Sequence, residues 1–181
     1  MNALYAVLLL PLTGVVLLAL VSRAALAGWL NVAICAGTLL AAVDLALGVL
    51  EHGPLLTPGG MFYIDAFNVY LVALTAFVGV TTAIFSRPYM AYVLAEGWVR
   101  AGRMRLYHAM YQGFLATMLL ALTTNNLGIL WVAVEGATLA TVLLVSLYRT
   151  PESVEAAWKY FVLCGVGIAQ ALFGTVLGYF A

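Results

Sequence analysis

The run LGILWVAVEGATLATVLL, residues 127–144, contains one ionisable side chain, Glu135, in an otherwise uncharged stretch. About 20 such residues, coiled as a helix, cross the hydrocarbon core of a bilayer. The stretch therefore reads as a membrane-spanning helix with an acid near its middle. The rest of the chain is written in the same way. Of its 181 residues, 66% are hydrophobic and 8% charged, and the mean hydropathy is +1.11. Soluble domains carry about 25% charged residues. So few charges cannot cover a globule in water, whereas lipid favours such a surface.

Working outward from residues 127–147, five further apolar segments of spanning length can be read: 3–21, 26–50, 64–85, 107–122 and 158–180. The expected fold is all-α: a polytopic transmembrane bundle of six helices. Between the second and third segments, Pro54, Pro58 and the pair Gly59-Gly60 mark a turn. A charged stretch, Ser86 to Leu106, separates the third from the fourth, and the link Thr123 to Asn126 joins the fourth to the fifth. The chain divides at that link into residues 1–122, holding four helices, and 123–181, holding two.

The seven positive side chains fix an orientation. Arg23 follows the first segment, and Arg87, Arg100, Arg103 and Arg105 follow the third. Arg149 and Lys159 sit between the fifth and sixth. With six crossings all seven fall on one side, and the positive-inside rule makes that side cytoplasmic, with both termini outside. One missed or invented crossing would scatter them. Trp29, Tyr63, Tyr89, Tyr92, Trp98, Tyr107, Tyr148, Trp158 and Tyr179 stand near segment ends, at the headgroup level that amphipathic rings prefer, while Trp131 lies deeper. No positive residue precedes the first apolar run, so that run is expected to persist as a helix and not to be cleaved as a signal peptide.

Composition also excludes function classes. Formal net charge is zero, so no basic field attracts nucleic acid. Cys35 and Cys164 stand singly in apolar runs, with no CxxC and no Cys/His cluster at metal spacing. No metal site and no cofactor are expected.

Glu135 is the residue most able to carry chemistry. It lies roughly 12 Å from the start of its helix, close to mid-membrane, where a charged carboxylate costs several kcal/mol. Desolvation favours the protonated form, so such a group can take up and release a proton. The alternative is a protonated Glu that only hydrogen-bonds a neighbouring helix. Thr138 and Thr141 lie close to it along the helix, and Gly136, Ala137 and Ala140 let another helix approach. Gln170, midway along the sixth segment, is the other deep polar side chain and a candidate bridge to Glu135. Lys159 sits too near a helix end to pair with it. Asp44 reads as interfacial, Asp65 as a helix N-cap, and His108 as an interfacial histidine or a proton entry point. The segment Trp98 to Tyr107, with Arg100, Arg103 and Arg105, reads as a solvated basic loop, a contact with a partner subunit or a surface for anionic lipid.

The stretch from Thr124 to Glu135, TNNLGILWVAVE, resembles the antiporter-like membrane subunits of respiratory complex I, Mrp sodium/proton antiporters and membrane-bound hydrogenases. Tyr148-Arg149, then Glu155 to Tyr160 (EAAWKY), Gly165 to Ala169 (GVGIA) and Tyr107 to Gln112 (YHAMYQ) are most similar to the hydrogenase-4 component F branch. The resemblance covers the chain from about Phe62 onward. It implies a proton-translocating subunit with no redox centre of its own, resident in a bacterial or archaeal plasma membrane. Its partners would be lipid and the other membrane subunits of a respiratory or hydrogenase complex. Glu135 matches the family glutamate that works with a lysine on a seventh helix. That lysine falls beyond residue 181, so the sequence reads as the N-terminal portion of a longer protein. Two other functions stay open: an Mrp-type cation/proton antiporter subunit, and a non-catalytic membrane scaffold.

Overall fold

The computed structural model describes residues 2–21 and 23–180. Six α-helices follow one another: α1 (Asn2–Leu20), α2 (Ala24–His52), α3 (Ala66–Ala95), α4 (Ala101–Thr123), α5 (Leu127–Val145) and α6 (Pro151–Phe180). Two short antiparallel strands, β1 (Leu55–Leu56) and β2 (Tyr63–Ile64), form a hairpin between α2 and α3, and a 3-10 turn, Ser146–Tyr148, ends α5.

Five of the helices are long and apolar enough to cross a membrane. The least apolar is α4, and its packing shows why. Its buried face runs through Met104, His108, Gln112, Leu115, Leu119 and Thr123, at helical spacing, against α1, α2 and α3. Two of the polar groups that lower its hydropathy, His108 and Gln112, are buried against other helices. The main core joins Leu4 and Val7 of α1, Cys35 and Ala42 of α2, Val72 and Ala76 of α3, and Leu115 and Leu119 of α4. Outside it, Leu40, Phe67, Phe85 and Leu163 are exposed, the inverse of a soluble surface.

The links gather at two opposite ends. At one, the hairpin meets the α4–α5 link: Asn125 N donates to Met61 O at 2.8 Å, Asn125 Nδ2 donates to Gly60 O at 3.0 Å, and Phe62 bridges Thr124. Asn2 and Ala3 border a hollow there with Leu55, and Phe180 borders another with Leu127, so both ends of the described chain lie at this end. At the other end, Met90, Val93, Val99, Met104 and Leu147 form a second cluster, with Ala24 packed against it. That cluster draws together the α1–α2, α3–α4 and α5–α6 links. The seven basic side chains lie on these links or on the helix ends beside them.

Three boundaries differ from the sequence reading, one of them the start of α6, which begins at Pro151 and not at Trp158. The helix expected to stop before Arg87-Pro88 continues through Pro88 to Ala95, and α4 starts at Ala101, so the link shrinks to Glu96–Arg100. Proline removes one backbone N–H, and membrane helices tolerate that when neighbouring groups satisfy the freed carbonyl. The segment Trp98 to Tyr107 is therefore mostly the first turns of α4 and not a surface loop.

Candidate functional site

The site is built on α5. Asn126 caps it: its side chain accepts from Gly128 N at 2.9 Å and Ile129 N at 3.1 Å, two of the amides that a helix start leaves unpaired. From there α5 runs unbroken to Val145, and Glu135 is its ninth residue of 19. Glu135 is half-buried, and among the described residues it makes no hydrogen bond or ion pair. One turn before it, Trp131 donates its indole N–H to Ile168 O on α6 at 3.0 Å. This pins α6 across α5 and accounts for the one tryptophan placed deep. Glu135 thus follows Trp131 along the side of α5 that meets α6.

On the other side of α5, Ala133, Ala137 and Ala140 are buried, and Gly136 touches α4: a Cβ at Gly136 would stand 2.9 Å from Thr117 Cγ2. The expected small-residue contact is present, with α4 as its partner. Between the start of α5 and the end of α6 lies an open apolar cleft of about 880 Å³, lined by Trp131, Val134, Ile168, Leu172 and others. No residue in the most hydrophobic stretch of α6 is buried.

Gln170, the candidate bridge to Glu135, stands elsewhere. Gln170 is exposed and makes no bond to Glu135. It sits two residues from Ile168, and two residues turn a helix by about 200°, which carries it to the far side of α6. Thr138 and Thr141 donate to Val134 O (3.1 Å) and Ala137 O (2.9 Å) on their own helix. Lys159 pairs with Glu155 one turn earlier, both exposed. Asp44 is exposed in a hollow with His52, at the hairpin end. Asp65 caps α3, accepting from Asn68 N at 2.8 Å.

His108 departs from the interfacial reading: it is 3% exposed, and its Nδ1 has no partner among the described residues. One turn further along α4, Gln112 is fully buried and forms a polar contact that the sequence reading passed over. Its Nε2 donates to Asn31 Oδ1 at 2.8 Å and to Cys35 Sγ at 3.1 Å, both on α2. Gln112 Oε1 and Asn31 Nδ2 are buried without partners among the described residues. The available signal was a His and a Gln four residues apart in the least apolar of the six helices, which is how an inward polar face looks in lipid.

No family model matches this sequence. It is 45% identical to the hydrogenase-4 component F homolog of Methylacidiphilum infernorum over 96% of the chain and 35% of that relative. It is 38% identical to NADH-quinone oxidoreductase subunit N 1 of Opitutus terrae over 42% of the chain and 15% of the relative. With subunit N of Rhodospirillum rubrum it shares 29% identity over 79% of the chain and 28% of the relative. The chain spans about a third of the length of the first of these proteins. Within that span it is a homologue of the antiporter-like membrane subunits that hydrogenase-4 component F and NADH-quinone oxidoreductase subunit N represent.

Proposed function

We propose that this chain is part of a proton-translocating membrane subunit in a hydrogenase-4-like or NADH:quinone oxidoreductase-like complex, with Glu135 carrying the proton. The observation behind this reading is the placement of Glu135: halfway along an apolar helix, half-buried, with no cation or hydrogen-bond donor from the described residues beside it. In hydrocarbon such a carboxyl gains or loses a proton according to small changes nearby. The exposed faces of α6 and the cleft beside Trp131 would then be covered by further membrane helices, and a cation brought by one of them would draw the proton off Glu135.

The test is Glu135→Gln in the assembled complex, reconstituted in vesicles, with electron transfer and proton uptake measured together. Proton translocation should be lost while subunit composition stays unchanged. Normal pumping by a correctly assembled Gln variant would remove Glu135 from the path and leave it a helix-packing role.

A further inference from the structure

A cavity of about 220 Å³ opens at the basic end of the molecule, on the opposite side of α4 from the α5 contact, between the start of α2, the last third of α3 and the start of α4. Three features of its wall favour an anion. Arg87 has its guanidinium carbon 3.8 Å from the centre of the Trp29 ring, and among the described residues no carboxylate lies within 4.0 Å of it. Its stem rests on Gly28, where a Cβ would come 3.1 Å from Arg87 Cγ. His108, 97% buried by its 3% exposure, lines the cavity with a ring that has no hydrogen-bond partner among the described residues. Ala24 and Ala25, the first residues of α2, line it as well, and Arg23 in the N-cap position supplies no side-chain cap. A helix start carries a partial positive charge aimed at any anion before it.

We propose that this cavity binds the phosphate of an anionic phospholipid headgroup. The guanidinium, held flat by Trp29, offers a fork of N–H donors that matches two phosphate oxygens. His108, in a tautomer that presents N–H to the cavity, supplies another donor. The rest of the wall identifies the source as lipid and not free phosphate. Trp29 is 58% exposed on the outside of the bundle, and Met90, Ala91 and Leu94 continue the wall in apolar groups suited to glycerol and acyl carbons.

The test uses the full chain in detergent, exchanged into phosphatidylglycerol or phosphatidylcholine and analysed by native mass spectrometry for retained lipid. The unmodified protein should hold one phosphatidylglycerol and discriminate against phosphatidylcholine. Arg87→Gln should reduce that retention about tenfold, the size of one charge-assisted contact. Arg100→Gln, which changes an exposed arginine outside the cavity, should leave it intact. Equal losses in the two variants would mean a diffuse basic field and overturn the site, as would unchanged retention in Arg87→Gln. Complete displacement by inorganic phosphate at low concentration would overturn lipid as the ligand. Because Arg87→Gln risks misfolding, Trp29→Leu gives a second reading from an exposed position. It removes the stacking surface and should lower retention about threefold, and wild-type retention there would also overturn the proposal.

Discussion

Gly136 on α5 packs directly against Thr117 on α4, since a Cβ at Gly136 would stand 2.9 Å from the threonine Cγ2. Real Cβ atoms almost never come so near, so either the threonine side chain or a helix must shift to admit even one methyl group. Gly136→Ala should destabilise the bundle by about 1–3 kcal/mol, the usual cost of overpacking. The threonine methyl is the obstacle, and its hydroxyl is occupied with Gly113 O at 2.9 Å. Thr117→Ser keeps that bond and removes the methyl. The double variant Gly136→Ala/Thr117→Ser should therefore recover most of the loss, and strictly additive effects in thermal unfolding would show that the contact is not the cause.

A second prediction concerns the polar contact between α2 and α4. Gln112→Leu leaves Asn31 Oδ1 buried without its 2.8 Å donor. An unmade bond of this kind costs about 1–3 kcal/mol, more than the bond itself contributes. Changing both partners to leucine removes the polar pair altogether and should be milder than Gln112→Leu alone. Thermal unfolding of the single and double variants in one detergent checks the order. If the double variant were the less stable, overpacking by the leucine at position 31, where Asn31 is buried, would be the stronger effect.

A third prediction tests the cap of α3. Asp65 Oδ1 accepts from Asn68 N at 2.8 Å, and an N-cap of this type contributes about 1 kcal/mol. Asp65→Ala should lose that amount, while Asp65→Asn, which keeps an acceptor in place, should lose only a few tenths of it. Equal losses would mean that the charge, and not the acceptor, matters.

The course of α5 was legible because its signals agree: a capping asparagine, an uncharged run of spanning length and small residues on one side. Asp65 was legible for the same local reason. The end of α3 was not. Arg87-Pro88 carries the usual marks of a helix stop, and only the packing of Met90 and Val93 into the second cluster shows that the helix goes on. Position along a helix could be read by counting residues, but direction around its axis could not. Gln170 therefore looked like a neighbour of Glu135, although the bond between Trp131 and Ile168 turns it away. The contact of Gln112 with Asn31 joins residues 81 positions apart, and nothing local to either announces the other.

The sharpest test of the whole architecture is whether α4 crosses the membrane, since it is the least apolar of the six. Leu56, Arg100 and Glu152 are exposed and lie on the hairpin, on the α3–α4 link and at the start of α6. With six crossings, α3 separates the first of these from the second, and the pair α4 and α5 returns the chain to the same side for the third. Cysteines placed singly at 56, 100 and 152 can be treated with a membrane-impermeant maleimide. In intact cells only the cysteine at 56 should react. Those at 100 and 152 should react after permeabilisation, since the positive-inside rule places the basic end in the cytoplasm. Were α4 only laid on the surface, positions 100 and 152 would react from opposite sides. The buried face from Met104 to Thr123 would then have to be explained without a crossing. Cys35 is buried and should stay silent, and replacing the half-buried Cys164 with serine removes the remaining background.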